Sequence, residues 1–407
     1  MKKAGDYIMS LELSKKGLSV KPSSTLAITA KAKELRASGV DVVGFGAGEP
    51  DFATPENICR AAVEAIESGF TKYTAAPGTP ELRKAVSDKF KKVNNLPYEP
   101  EQVIISNGGK HALTNIFEAI INPGDEVIIP APFWLSYPEI VKLAGGVPVF
   151  VNCSVSDDYK ITAEKLAAAC NEKTKAFVLN SPCNPTGMVY SKAELEALAK
   201  VIVEKDIYVI SDEIYEYLFY DNTEVVSIGS LGKDIFDHTI TCNGMAKSYA
   251  MTGWRIGYTG APLPVAKVMS GIQSHQTSNP NSIAQKASLE ALTGPQDSVP
   301  AMREQFDRRR NYMCDRLAAM PHISAIRPLG AFYTFVDISE ALEMSYQGKK
   351  VGTCAEFARI LIDDFKTAVI PCADFGAPDH IRLSYAIGLE QIKKGLDRIE
   401  AFLKELK

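Results

Sequence analysis

Apolar and polar positions along the 407-residue chain alternate between two periods. After a polar lead of roughly twenty residues, short apolar runs rich in β-branched residues recur. Between them lie stretches with apolar residues three and four apart, the spacing of a helix that buries one face. The runs QVIIS (102–106), DEVIIP (125–130), VPVFVN (147–152), KAFVLN (175–180), IYVIS (207–211), TITCN (239–243) and RIGYTG (255–260) predict strands. HALTNIFEAII (111–121) and KAELEALAKVIVEK (192–205) predict helices. This alternation predicts an α/β fold, with a large unit built on a mostly parallel seven-stranded sheet flanked by helices. Near Gly294-Pro295 the pattern changes. A charged helix, MREQFDRRRNYMCDRLAAM (302–320), precedes strands AFYTFVDI (331–338) and HIRLSYAI (380–387), which are separated by the helix CAEFARILIDDF (354–365). These elements predict a smaller α+β unit packed on the first, with a ligand between the two.

Composition narrows the function classes. The 45 basic and 49 acidic residues give a net charge of −4 without blocks of one sign, so neither nucleic acid nor another polyanion is expected as a partner. The RRR run at 308–310 reads as a solvated helix face. No apolar run approaches the roughly 18 residues of a membrane span, and the basic start MKKAGDYIMSLELSKKG lacks the apolar stretch of a signal peptide. A cytoplasmic protein is expected. The eight cysteines form no CxxC pair, which predicts reduced, mostly buried thiols and no zinc. The histidines show no metal-ligand spacing, and no metal is expected.

Candidate chemistry gathers where ligands of open α/β sheets sit, past the carboxyl ends of strands. Asn184 follows KAFVLN, Asp212 follows IYVIS, Lys247 follows TITCN, and Gly108-Gly109 joins QVIIS to a helix. A helix N-terminus after glycines suits a phosphate, to which Arg255 would add a bidentate cation. Each feature has a plainer reading: a tight turn for the glycines, a turn cap for Asp212, a packing role for Lys247. Together they match what pyridoxal phosphate requires: a lysine to carry it, a carboxylate for its ring nitrogen, donors for its phenolate oxygen and a phosphate clamp.

GMAKSYAMTGWRIG (244–257) resembles the lysine-attachment signature of fold-type I pyridoxal-phosphate aminotransferases. FGAGEPDF, KYTAAPGTPELR, SPCNPTG, SDEIYE and HIRLSYA follow that family's order, in its bacterial-type aspartate aminotransferase subgroup. The resemblance implies a division into residues 1–55 (N-terminal arm and part of the small domain), 56–295 (large cofactor-binding domain) and 296–407 (small C-terminal domain). It implies that Lys247 carries the cofactor, that Asp212 meets the pyridine nitrogen, and that Asn184 and Tyr215 meet the phenolate oxygen. Trp134 stacks on the ring; Gly109, Lys110 and Arg255 hold the phosphate, with Tyr73 reaching in from a second subunit. Arg382 grips the substrate α-carboxylate and Gly48 closes over it. The implied activity transfers the amino group of L-aspartate to 2-oxoglutarate, in a homodimer with shared sites.

Two features depart from the animal-type enzymes: Gly244 replaces a serine, and Tyr137 replaces a histidine. The arginine that those enzymes supply for the side-chain carboxylate is also missing from SHQTSNPNS (274–282). The subgroup resemblance gives that role to Lys110, with Thr25 from the arm. A lysine is a less directional ligand, so the pocket is expected to admit more than one acidic substrate; the subgroup resemblance implies prephenate or another amino or oxo acid as an alternative substrate, and β-lyase chemistry with the same cofactor is an alternative reaction. GFGAG (44–48) matches only part of a dinucleotide fingerprint, since Glu49 replaces the third glycine. A transcription-regulator effector domain is also disfavoured, because only about twenty residues precede Lys21 and the chain has no basic module.

Overall fold

The computed structural model describes residues 12–22 and 24–407; what the sequence suggests for residues 1–11 and Ser23 lies outside the described residues. The seven expected strands form close to their expected bounds and pair in one sheet. They are β1 (Val103–Ser106), β2 (Glu126–Ala131), β3 (Val147–Asn152), β4 (Thr174–Asn180), β5 (Tyr208–Asp212), β6 (Thr239–Gly244) and β7 (Gly257–Gly260). Their order is β1-β7-β6-β5-β4-β2-β3. Neighbours among β2 to β6 run parallel, while β7 is antiparallel to both β6 and β1. The inner strand β6 and the edge strand β1 are buried along their whole length, as continuous apolar runs covered on both faces should be. The edge strand β3 stays half-exposed. β7 starts two residues later than its apolar run because Arg255 takes a left-handed φ of 58°, which no strand accommodates.

The flanking helices follow local signals. Helix Gly109–Ile120 begins earlier than its periodicity suggests, since Gly108, at a φ of 88°, turns the chain out of β1. Helix Lys192–Glu204 starts at a capping box in which Ser191 and Glu194 satisfy each other's backbone N–H groups.

A second, four-stranded antiparallel sheet holds β8 (Ser324–Ala325), β9 (Tyr333–Asp337), β10 (Ile370–Pro371) and β11 (His380–Ser384), in the order β10-β11-β9-β8. The chain before the large sheet joins this unit. Val43 and Gly44 pair with Thr367 and Ala368, and Ser384 N–H donates to Phe45 O at 2.9 Å. Val43 and Phe45 share one apolar core with Phe357, Leu396 and Phe402. From this packing we propose the domain division that the sequence implied, at residues 1–55, 56–295 and 296–407.

One expectation is corrected. The RRR run is not a solvated face: Arg308 is exposed, but Arg309 pairs with Asp51 at 2.7 Å and Arg310 is fully buried. Arg310 shares a face of helix Ser298–Ala318 with Phe306, Met313 and Leu317, all core residues, so the helical period turns it inward. Asp221 accepts both guanidinium nitrogens, at 2.6 and 2.7 Å, and Pro328 O accepts a third bond at 2.8 Å. A buried arginine requires such pairing.

Candidate active site

The carboxyl ends of β1, β4, β5 and β6 open onto a cavity of about 270 Å³. The structure brings Thr25, Gly48, Gly109, Lys110, Trp134, Asn184, Asp212, Tyr215, Lys247, Arg255 and Arg382 to its walls. Tyr73 stands apart, 90% exposed on the surface of the chain. Four cations, Lys110, Lys247, Arg255 and Arg382, face a single carboxylate, Asp212. Such an excess of positive charge in a concave, partly dry site favours ligands with several anionic groups.

One corner is shaped for a phosphate. Helix Gly109–Ile120 points its free N–H groups into the cavity, with the Arg255 guanidinium against them. A side chain at Gly108 would come within 2.3 Å of Arg255 Nη2, and one at Gly257 within 2.4 Å of the Gly109 nitrogen. The glycines therefore permit this close approach. Arg255 donates to Thr252 O at 2.9 Å and has no carboxylate partner among the described residues.

Lys247 lies in the loop after β6, held over the Phe332 ring at 5.7 Å and the Tyr215 ring at 5.9 Å, and it donates to Gly48 O. Burial, followed by the charge of Arg382, lowers its amine to about 8. At neutral pH an ordinary lysine is deprotonated about once in 2,500 molecules, whereas one with a pKa near 8 is so in about one of ten. The amine is thereby ready for nucleophilic and proton-transfer chemistry.

Asp212 ends β5 beside Asn180, which ends β4. Tyr137 Oη donates to its Oδ2 at 2.6 Å and Ile214 N–H to its Oδ1 at 3.2 Å. Burial raises its pKa, and the Tyr137 bond opposes that rise. Arg382 Nη1 donates to Asn184 Oδ1 at 2.8 Å, so the Asn184 amide has its NH₂ left to donate elsewhere. Arg382 Nε is buried without a hydrogen-bond partner among the described residues. Partial burial, followed by Arg255, lowers the pKa of Lys110, which lies 5.2 Å from the Trp134 ring.

Three contributors escaped the sequence reading. Tyr137 appeared there only as a tolerated replacement, although its place three residues after Trp134 on one helical turn was the available signal. Asn180 accepts Asn184 N–H at 2.9 Å and donates to Asp212 O at 2.9 Å, which fixes the turn to the strand end. Tyr333, on β9, comes from the smaller sheet, and nothing in its local pattern marks it.

Asp212 and its neighbour Glu213 serve different surroundings. Glu213 is buried and accepts from Ser211 Oγ at 2.8 Å, Ser227 Oγ at 2.7 Å and Asn94 Nδ2 at 3.3 Å. Nearby Glu216 holds buried Lys89 at 2.5 Å. Burial, with the Glu216 charge adding, pushes Glu213 up to about 7. A folded-state value above the unfolded one stabilises fully below about 4.3, and that stability is lost as pH rises through 7. Glu213→Gln is therefore expected to raise the melting temperature relative to wild type by about 3 °C above pH 7, with the difference falling to less than half of that near pH 5. Calorimetry across pH 5–8 checks this, and a difference independent of pH would refute it.

The family described as Aminotransferase class I and II matches residues 40–399. An aspartate aminotransferase of Bacillus sp. is 49% identical over 94% of this chain and 97% of its own. An aspartate/prephenate aminotransferase of Cereibacter sphaeroides is 47% identical over 94% of this chain and 96% of its own. The crystal structure of the aspartate aminotransferase from Rhizobium meliloti superposes with a TM-score of 0.94 at 41% identity, covering 98% of this chain and all of that one. With a match of this extent around a lysine-bearing, cationic cavity, the chain belongs to the class I and II aminotransferases, enzymes that depend on pyridoxal phosphate.

Proposed function

We propose that this protein transfers the amino group of L-aspartate to 2-oxoglutarate. The observation that carries the substrate class is the count of cations. Arg255 is committed to a phosphate, Arg382 to an α-carboxylate and Lys247 to covalent attachment, which leaves Lys110 for a side-chain carboxylate. The Thr25 hydroxyl, buried without a partner among the described residues, lies on the same wall and offers a further donor. The Bacillus and Rhizobium relatives, named as aspartate aminotransferases, support the same choice.

The residues present fit pyridoxal phosphate. Lys247 would carry it, Asp212 would face its ring nitrogen, Asn184 and Tyr215 its phenolate oxygen, and Trp134 its ring face. The N–H groups at Gly109 and Lys110, with Arg255, would hold the phosphate in a cradle that side chains at Gly108 or Gly257 would fill. When bound, the cofactor supplies a sink for the electron pair left at the substrate Cα after proton removal. Arg382 binds the α-carboxylate through its two-pronged guanidinium, and the backbone at Gly48 closes over it. Lys247 would hold the cofactor and, once freed from it, its Nζ would be the group that moves the proton from the substrate Cα. Asp212 stays ionised by pairing with a protonated ring nitrogen.

The exposed Tyr73 supports a homodimer in which each subunit lends this residue to the other's phosphate, so a mass of two chains is expected in solution. The eight unbridged cysteines fit a reducing compartment, and no helix among the described residues is long and apolar enough to cross a membrane; the cytoplasm is the proposed location.

A half-reaction screen tests the substrate assignment. Holoenzyme mixed with single amino acids should lose the visible absorbance of its cofactor rapidly with aspartate and glutamate. Rapid loss with alanine or leucine but none with aspartate would overturn the assignment. The Cereibacter relative, named for prephenate as well, favours a second substrate, and a single lysine facing the side-chain carboxylate imposes little geometry against it.

A further inference from the structure

Tyr333 connects parts of the site that come from different sheets. It stands on β9, where Phe335 pairs directly with Arg382 of β11, so that Tyr333 and Phe335 share one face and Arg382 lies diagonally across from Tyr333. The Arg382 guanidinium carbon sits 4.2 Å from the centre of the Tyr333 ring and 5.3 Å from the centre of the Phe375 ring. The Tyr333 hydroxyl lies 3.0 Å from that of Tyr215, in the loop after β5. A side chain added at Gly48 would come 3.5 Å from the same hydroxyl. Tyr215 and Tyr333 are 3% and 1% exposed, so both rings are held within the protein at the cavity wall.

Two buried hydroxyls sharing one hydrogen bond leave one proton over, and its direction matters for chemistry. The Arg382 guanidinium, 4.2 Å from the Tyr333 ring centre, opposes the rise that burial imposes on Tyr333; it acts in the same sense on Tyr215, which burial and the Tyr333 hydroxyl nonetheless raise well above the ordinary value. The more acidic hydroxyl is the better donor. Around the pair, the charged and titratable groups are Arg382 on β11, Lys247 and Asp212.

We propose that Tyr333 is a positioning residue with two separable tasks: its hydroxyl donates to Tyr215 and so aims the Tyr215 proton into the cavity, while its ring holds Arg382 flat for the α-carboxylate. The first task bears on the cofactor and the second on the substrate. This rests on the cofactor placement proposed above. A phenol that accepts a hydrogen bond is itself a stronger donor, so Tyr215 in this pair stabilises a phenolate oxygen more than it would alone.

The test compares wild type, Tyr333→Phe and Tyr333→Leu as holoenzymes. It uses a pH titration of the visible absorbance of the bound cofactor, together with the KM for L-aspartate. Tyr333→Phe keeps the ring and loses the hydroxyl; its spectral midpoint is expected to rise by roughly 0.3–0.5 pH units, with KM changed less than about twofold. Tyr333→Leu loses both, and should show the same midpoint shift with a KM raised about tenfold. An unchanged midpoint in Tyr333→Phe overturns the hydroxyl task, and an unchanged KM in Tyr333→Leu overturns the ring task. If the wild type shows no titrating visible band, the cofactor placement fails and the proposal fails with it, an outcome distinct from a wild-type band that both variants reproduce.

Discussion

Replacing Lys247 by alanine is expected to lower turnover by at least about 10⁴-fold, the upper end for a lost general acid–base group, and to remove the absorbance of covalently held cofactor. The size of the effect follows from two duties resting on one amine. In the proposed reaction Lys247 would be both the attachment point and, after displacement, the base aimed at the substrate Cα. Its surroundings serve both duties, because burial against Phe332 and Tyr215 together with the Arg382 charge brings the amine to about 8. The helix N-terminus, Arg255 and Asp212 are untouched in the variant, so it should still bind the cofactor without a covalent bond. Absorbance spectra and steady-state rates on the same preparation separate loss of attachment from loss of binding. Normal turnover would refute the assignment.

Asp212→Ala is expected to reduce kcat on the order of 10²–10³-fold, the consequence of stripping one member from a buried charge pair. The carboxylate is 5% exposed and is aimed by the 2.6 Å bond from Tyr137 and the 3.2 Å bond from Ile214 N–H. Its removal leaves the ring nitrogen without a counter-charge and the Tyr137 hydroxyl buried without an acceptor. The electron sink is weakened while Lys247 and Arg382 remain, so the loss should fall on kcat more than on the KM for aspartate. A kcat within tenfold of wild type would contradict the role.

Much of this was legible in the sequence, for reasons that differ by residue. The buried strands were readable because apolar runs such as VIIS and TITC need burial on both faces, and that requirement also located the carboxyl ends of the sheet, where Asn184, Asp212 and Lys247 stand. Gly108 was readable as a close-approach position only in part. Its meaning depends on Arg255, which reaches it through a left-handed backbone that the apolar pattern of RIGYTG concealed. Arg310 was misread because a run of like charge was taken without its helical phase. Once Phe306 and Met313 mark the buried face, Arg310 falls on it. Tyr333 and Glu213 were out of reach for another reason. The Arg382 and Tyr215 contacts of the one, and the Asn94 and Ser227 contacts of the other, join distant parts of the chain, and no local pattern encodes them. Tyr73 gives the opposite case: the role proposed for it needs a second copy of the chain, and in one copy it is exposed.

The central claim concerns one bond. Borohydride reduction of the holoenzyme, followed by proteolysis and mass spectrometry, should find the mass of a reduced pyridoxyl phosphate on the peptide containing GMAKSYA, at Lys247. Label on any other lysine, or none on that peptide from enzyme that is visibly loaded with cofactor, would contradict the account.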